Sequence, residues 1–118
     1  MLPIGELAMS TYRKPLTIKT IEAIKPPTTK GQQDEYYDTN QTGLILRIGT
    51  SGKKVFYQRY RVGRKQGRIK IGTYPAEKSL KEAREEGSEY LKLASKGEDP
   101  ALEIRRKRSE NLLFKDLA

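Results

Sequence analysis

The stretch Val55-Phe56-Tyr57-Gln58-Arg59-Tyr60-Arg61-Val62, followed by Gly63-Arg64-Lys65-Gln66-Gly67 and then Arg68-Ile69-Lys70-Ile71, decides the fold. β-Branched and aromatic residues favour extended backbone. Charges recur at alternate positions, the period at which a strand turns successive side chains to opposite faces. The segment between the two runs begins and ends in glycine and reads as a turn. Two antiparallel strands joined by a hairpin follow. Toward the N-terminus, Thr50-Ser51-Gly52-Lys53 reads as another hairpin turn and Leu44-Ile45-Leu46-Arg47-Ile48 as a further strand. The centre of the chain is thus a three-stranded antiparallel meander.

Period two also sorts the side chains. Leu44, Leu46, Ile48, Phe56, Tyr60, Val62, Ile69 and Ile71 fall on one face, and Arg47, Val55, Tyr57, Arg59, Arg61, Arg68 and Lys70, with Ile45 beside them, on the other. Gln58 falls among the apolar residues, so it requires a hydrogen-bond partner or a place at the rim. The apolar face needs a cover, and the sequence supplies one. Ser79-Leu80-Lys81-Glu82 is a capping box, after which Leu80, Ala83, Gly87, Tyr90, Leu91 and Ala94 share one helical face until Gly97 and Pro100. Before the sheet, Leu16 to Ile24 reads as a short helix with Thr17 as N-cap and Pro26-Pro27 as its stop. Thr28 to Asp34 reads as a polar connection and Tyr36-Tyr37-Asp38 as a brief extended segment. Residues 101–111 read as a basic linker helix whose apolar stripe is too thin for firm docking. Residues 1–13 are set aside as an N-terminal extension, Met9 being a candidate alternative start. The expected class is α+β: a three-stranded antiparallel sheet packed on one main α-helix, with a short N-terminal helix and a C-terminal linker helix.

Composition narrows the function. In 118 residues there is no cysteine and no histidine, which removes disulfides, thiolate metal sites, the usual general base and every Ser-His or Cys-His arrangement. No cofactor, metal site or catalytic site is expected, and no apolar run approaches a membrane span. The net charge of +9 is unevenly placed. Of the 24 basic residues, nine lie between Gly43 and Pro75 with no acidic residue among them, leaving 15 against the chain's 15 acidic ones. One structural unit therefore carries the whole excess, as a polyanion-binding surface does.

A twisted sheet of a few strands fits the major groove of DNA, where arginine can donate two hydrogen bonds to guanine. Arg59, Arg61 and Arg68 are the expected base readers, with Arg47 and Lys70 on the same face. Lys53, Lys54, Arg64 and Lys65 sit in the two turns, where they would meet flanking phosphates. Tyr57 would either stack on a base or sugar or fill the space between two arginine stems. The run Arg105-Arg106-Lys107-Arg108 is either a backbone contact or a solvated linker. Tyr36, Tyr37 and Tyr74 raise the idea of a tyrosine nucleophile, but packing or turn roles explain them more simply. Two other readings compete: a general RNA-binding module, and a basic surface for protein association.

Several of these segments together form a pattern. Gly43-Leu44-Ile45-Leu46-Arg47-Ile48, Phe56 to Arg61, Gly72-Thr73-Tyr74-Pro75, Ser79-Leu80-Lys81-Glu82-Ala83-Arg84 and Gly97-Glu98-Asp99-Pro100 occur in an order that resembles the N-terminal arm-type DNA-binding domain of phage and genomic-island integrases of the tyrosine recombinase family. The resemblance implies a domain over residues 14–100, and sequence-preferring binding of double-stranded arm-type sites in an attachment region. It further implies a bacterial cytoplasmic, nucleoid-associated setting, with other integrase protomers and DNA-bending or excision factors as partners. Residues 112–118 look like the opening of a core-binding domain, which would make the chain a piece of a longer integrase whose catalytic residues lie elsewhere.

Overall fold

The computed structural model describes residues 9–117, and what was expected of residues 1–8 lies outside them. Five strands, β1 (Met9–Lys14), β2 (Gln33–Asp38), β3 (Leu44–Gly49), β4 (Lys54–Val62) and β5 (Lys65–Tyr74), form one sheet in sequence order. Helix α1 (Ile18–Ala23) lies between β1 and β2, and α2 (Leu80–Ser95) and α3 (Pro100–Leu117) follow the sheet. The central meander is antiparallel from β2 to β5, whereas β1 pairs with β2 in parallel.

The expected three-stranded antiparallel sheet on one main helix is therefore corrected to a five-stranded mixed sheet with two helices C-terminal to it. Both additional strands are polar. Met9-Ser10-Thr11-Tyr12-Arg13-Lys14 lacks an apolar alternation, and Gln33-Asp34-Glu35-Tyr36-Tyr37-Asp38 carries acids that ordinarily disfavour strands. A parallel pair also needs a crossover, and residues 15–32 provide it by way of α1. The segment set aside as an extension thus contributes an edge strand from Met9 onward.

One face of the sheet holds the core. Leu44, Leu46, Ile48, Phe56 and Ile71 pack with Leu16, Ile21 and Ile24 around α1 and with Leu80 and Ala83 of α2, so both helices cover this face. The capping box of α2 forms as read, Ser79 accepting from the Glu82 amide while the Glu82 carboxylate accepts from the Ser79 amide. A bulge at Phe56/Tyr57 leaves Ile71 as an extra residue in β5. It keeps Ile69 and Ile71 in the core and still turns Tyr74 inward, its ring meeting Phe56 edge-on at 5.9 Å. The β4–β5 turn is shorter than read: Gly63 and Arg64 make it alone, and Lys65 to Gly67 already belong to the strand. Gly63 takes the positive φ that such a tight turn demands.

Gln58 is fully buried and satisfied. Its amide donates to the Thr42 and Arg59 carbonyls at 3.0 and 2.9 Å, and its oxygen accepts from Gln41 at 3.2 Å. This bridge draws the β2–β3 turn against β4. Gly43 is the residue that permits it, with φ +82° and the place of a Cβ only 2.6 Å from the Arg59 carbonyl oxygen. Asp38 ties the N-terminal half to α2. Its carboxylate accepts from the Leu16 and Asn40 amides at 2.9 and 3.0 Å and from the Arg84 guanidinium at 3.1 Å. Asp99 joins α3 to the sheet, accepting from Tyr60, Lys65 and the Ala101 amide at 2.9, 2.9 and 3.0 Å. No described helix is long and apolar enough to cross a membrane.

Candidate nucleic-acid interface

Opposite the helices, the sheet presents a second face whose rows follow from the strand register. One row runs Arg13, Tyr37, Ile45, Tyr57, Lys70 across all five strands. The neighbouring row runs Thr11, Glu35, Arg47, Val55, Thr73. On the other side, where β3 has ended, Arg59 pairs with Arg68 and Arg61 with Gln66, so the β4–β5 hairpin projects beyond the rest of the sheet. An open groove of about 460 Å³ lies beside this projection, with Arg13, Tyr37, Arg59, Arg61 and Gln66 among its walls.

At the centre of the face stands a carboxylate. Glu35, its side chain only 2% exposed, accepts from Arg47 Nη2 at 2.7 Å and Nε at 3.0 Å, and from Arg68 Nη1 at 2.6 Å. Arg68 Nη2 reaches the other carboxylate oxygen at 3.4 Å. The Tyr57 ring lies under both guanidiniums, whose carbons stand 4.9 and 5.7 Å from its centroid. These contacts are of the cation–π kind. Burial alone would push the Glu35 carboxyl up, but hydrogen bonds and charge from Arg68 and Arg47 outweigh it and hold the group below its usual 4.5. The same bond to Glu35 raises Arg68.

Asp99 is likewise held low, by hydrogen bonds from Lys65 and Tyr60. A carboxylate whose pKa is lower folded than unfolded stabilises the fold above its unfolded value, and that contribution is lost as pH falls through the folded value. Stability is therefore expected to hold from neutrality to about pH 5 and to fall as pH drops below the usual carboxylate range. Thermal unfolding between pH 7 and pH 3 tests this. A melting temperature that stays level to pH 3 would show that these two carboxylates contribute nothing to stability.

The sequence-expected site residues divide into three groups. Arg59, Arg61 and Arg64 are exposed on the projecting hairpin and have no acidic partner among the described residues. Lys53 and Lys70 are exposed toward the other end, where both lower the Glu77 carboxyl after its larger hydrogen bonds from Thr73. Arg47, Arg68, Lys54 and Lys65 are already engaged. Lys54 turns to the helix side and donates to the Ile21 carbonyl at 2.8 Å, and Lys65 bonds Asp99. Two of the three tyrosines considered as nucleophiles have structural partners. Tyr36 stacks on Tyr12 at 4.8 Å and Tyr74 donates to Glu22 at 3.0 Å. Burial, with a nearby carboxylate in each case, raises both hydroxyls, opposite to what activation requires.

Two residues escaped the sequence reading. Arg13 sits in a strand that had been set aside. Glu35 falls between the connection read over Thr28 to Asp34 and the extended segment read from Tyr36, although Glu35-Tyr36-Tyr37-Asp38 does alternate, Tyr36 turning to the core and Glu35 and Tyr37 away from it.

Comparison with known proteins adds an independent line. A family model described as an arm DNA-binding domain matches residues 16–107. The chain is 38% identical over 85 residues to an integrase of Shigella phage Sf6 and, at the same identity and length, to the prophage integrase IntS of Escherichia coli strain K12. Each alignment covers 72% of this chain and 20% of the relative, so the chain spans about a fifth of the length of these curated relatives.

Proposed function

Because the chain belongs to the arm DNA-binding domain family, we propose that it binds duplex DNA as the arm-reading module of a site-specific integrase, laying its helix-free sheet face in the major groove. The observation that carries this reading is the projecting hairpin. It displays Arg59, Arg61 and Arg64 together, with no carboxylate bonded to any of them among the described residues. A surface needing only solubility would intersperse both signs, as α2 does.

In this reading Arg59 and Arg61 meet base edges, where a guanidinium can donate twice to guanine. Arg64 and Lys53 in the turns, with Arg13 and Lys70 at the flanks, meet phosphates. The module runs from β1 through α2, residues 9–95, so it starts and ends five residues before the 14–100 expected, with residues 101–111 as a basic linker. The preference is for particular duplex sequences in an attachment region. Strand cleavage and joining would belong to the part of such integrases that this chain does not match. A second DNA contact of this kind raises the effective concentration of the rest of the protein at its target, so modest affinity suffices. Other protomers, or DNA-bending and excision factors, would then be neighbours on the same DNA.

Fluorescence anisotropy tests the reading. Labelled duplexes selected from a randomised pool on the 118-residue chain are compared with scrambled duplex, single strand and RNA duplex between 50 and 200 mM salt. The selected duplex is expected to bind at least about tenfold tighter, with affinity falling by about 0.9 log unit per log unit of salt for each phosphate neutralised. Equal, salt-sensitive binding to all four would refute sequence reading and leave a nonspecific basic sheet.

A further inference from the structure

The least expected group on the candidate DNA face is its buried carboxylate. A surface that attracts phosphate gains nothing from a negative charge at its centre, yet Glu35 sits there at 2% exposure and bonds two arginines. It reduces the local charge of the triad from two positive to one. It also removes rotamer freedom from two long side chains that would otherwise repel each other and lose that freedom only on binding.

The bonding pattern leaves donors to spare. A guanidinium has five N–H donors. Arg47 commits its Nε and Nη2 and Arg68 its Nη1 and Nη2, so each retains N–H groups not bonded to Glu35. Tyr57 supports both from below. The result is a pair of planar donors held in one orientation, with their attraction for phosphate halved. Around them Arg59, Arg61 and Arg64 keep their full charge.

We infer that Glu35 is a specificity-determining positioning residue: it fixes Arg47 and Arg68 as oriented donors for base edges and suppresses their use as phosphate contacts. This rests on the sheet-face reading above. It adds a charge-tempered centre that discriminates alongside Arg59 and Arg61, and leaves sequence-independent attraction to a rim formed by the turn and flank cations.

The test uses the 118-residue chain, a duplex selected on wild type, and a scrambled duplex of the same length. Glu35→Gln keeps the shape and removes the charge. It is expected to tighten binding to scrambled duplex, steepen the salt slope by about 0.9 as one more phosphate is engaged, and lower the selected-to-scrambled ratio by about tenfold. A Glu35→Gln/Arg47→Gln double variant restores the wild-type charge of the triad. Its salt slope should return to the wild-type value while the ratio stays low, which a purely structural ion pair does not predict. If Glu35→Gln does not fold, the double variant alone decides: wild-type slope with a lowered ratio supports the inference, and a wild-type ratio overturns it. If wild type discriminates but Glu35→Gln changes neither ratio nor slope, the inference fails and the face reading stands. If wild type itself does not discriminate, both fail.

Discussion

Replacing Asp38 by alanine is expected to cost about 3–5 kcal/mol of folding stability, the range for breaking a buried ion pair by removing one partner. The Asp38 side chain is completely buried. Its two oxygens hold the Leu16 amide at the start of the crossover, the Asn40 amide at the end of β2, and the Arg84 guanidinium of α2. Without it, two amides lose their acceptor and Arg84, which also donates to the Leu16 carbonyl, loses its countercharge. Asp38→Asn keeps an acceptor and should cost less. Urea unfolding at pH 7 measures both. A loss under about 1 kcal/mol for the alanine variant would mean that the crossover is held by its apolar contacts alone.

The second large effect belongs to the projecting hairpin. Arg59→Ala/Arg61→Ala is expected to weaken binding of the selected duplex by about 2–6 kcal/mol, taking about 1–3 kcal/mol for each bidentate base contact. Scrambled duplex should lose less, because only the phosphate attraction of two cations disappears. Both side chains are exposed, and among the described residues their one side-chain bond is the 3.3 Å contact of Arg59 with Gln66. Stability should therefore stay within about 0.5 kcal/mol of wild type. Equal losses on selected and scrambled duplex would remove these arginines from base reading and reassign them to phosphate contact.

These two predictions draw on opposite ends of what was legible. Arg59 and Arg61 could be placed on an outward face from sequence, because strand alternation and the flanking glycines encode a hairpin over a few residues. Their exposure in the folded chain follows from the same alternation. Asp38 could not be read this way. Its value depends on Arg84, 46 residues away, and nothing in the pattern around Asp38 announces that pairing.

The candidate site shows the same division at finer scale. The charge segregation between Gly43 and Pro75 marked the strands that carry the candidate face, but counting cations does not reveal which are already spent. Lys54 was grouped with turn residues and lies on the helix side. Lys65 was grouped with them and caps its charge on Asp99, 34 residues on. Arg68 was expected to be a free base reader and shares Glu35 with Arg47, across a separation of 33 residues.

Sequence by itself determined the central meander, the core face, the capped helix α2 and the concentration of positive charge on one sheet surface. Each of these rests on contacts between near neighbours or on a simple period, and local chemistry is enough to specify such features. Tertiary structure alone decided that the sheet has five strands, that its outermost pair is parallel, and that a buried glutamate orders the middle of the basic face. Strands β1 and β2 are polar and pair through a crossover, so their stability comes from ion pairs and packing between distant segments. The free energy that holds a charged strand inside a fold resides in its partners, and those partners become neighbours only when the chain has closed around them.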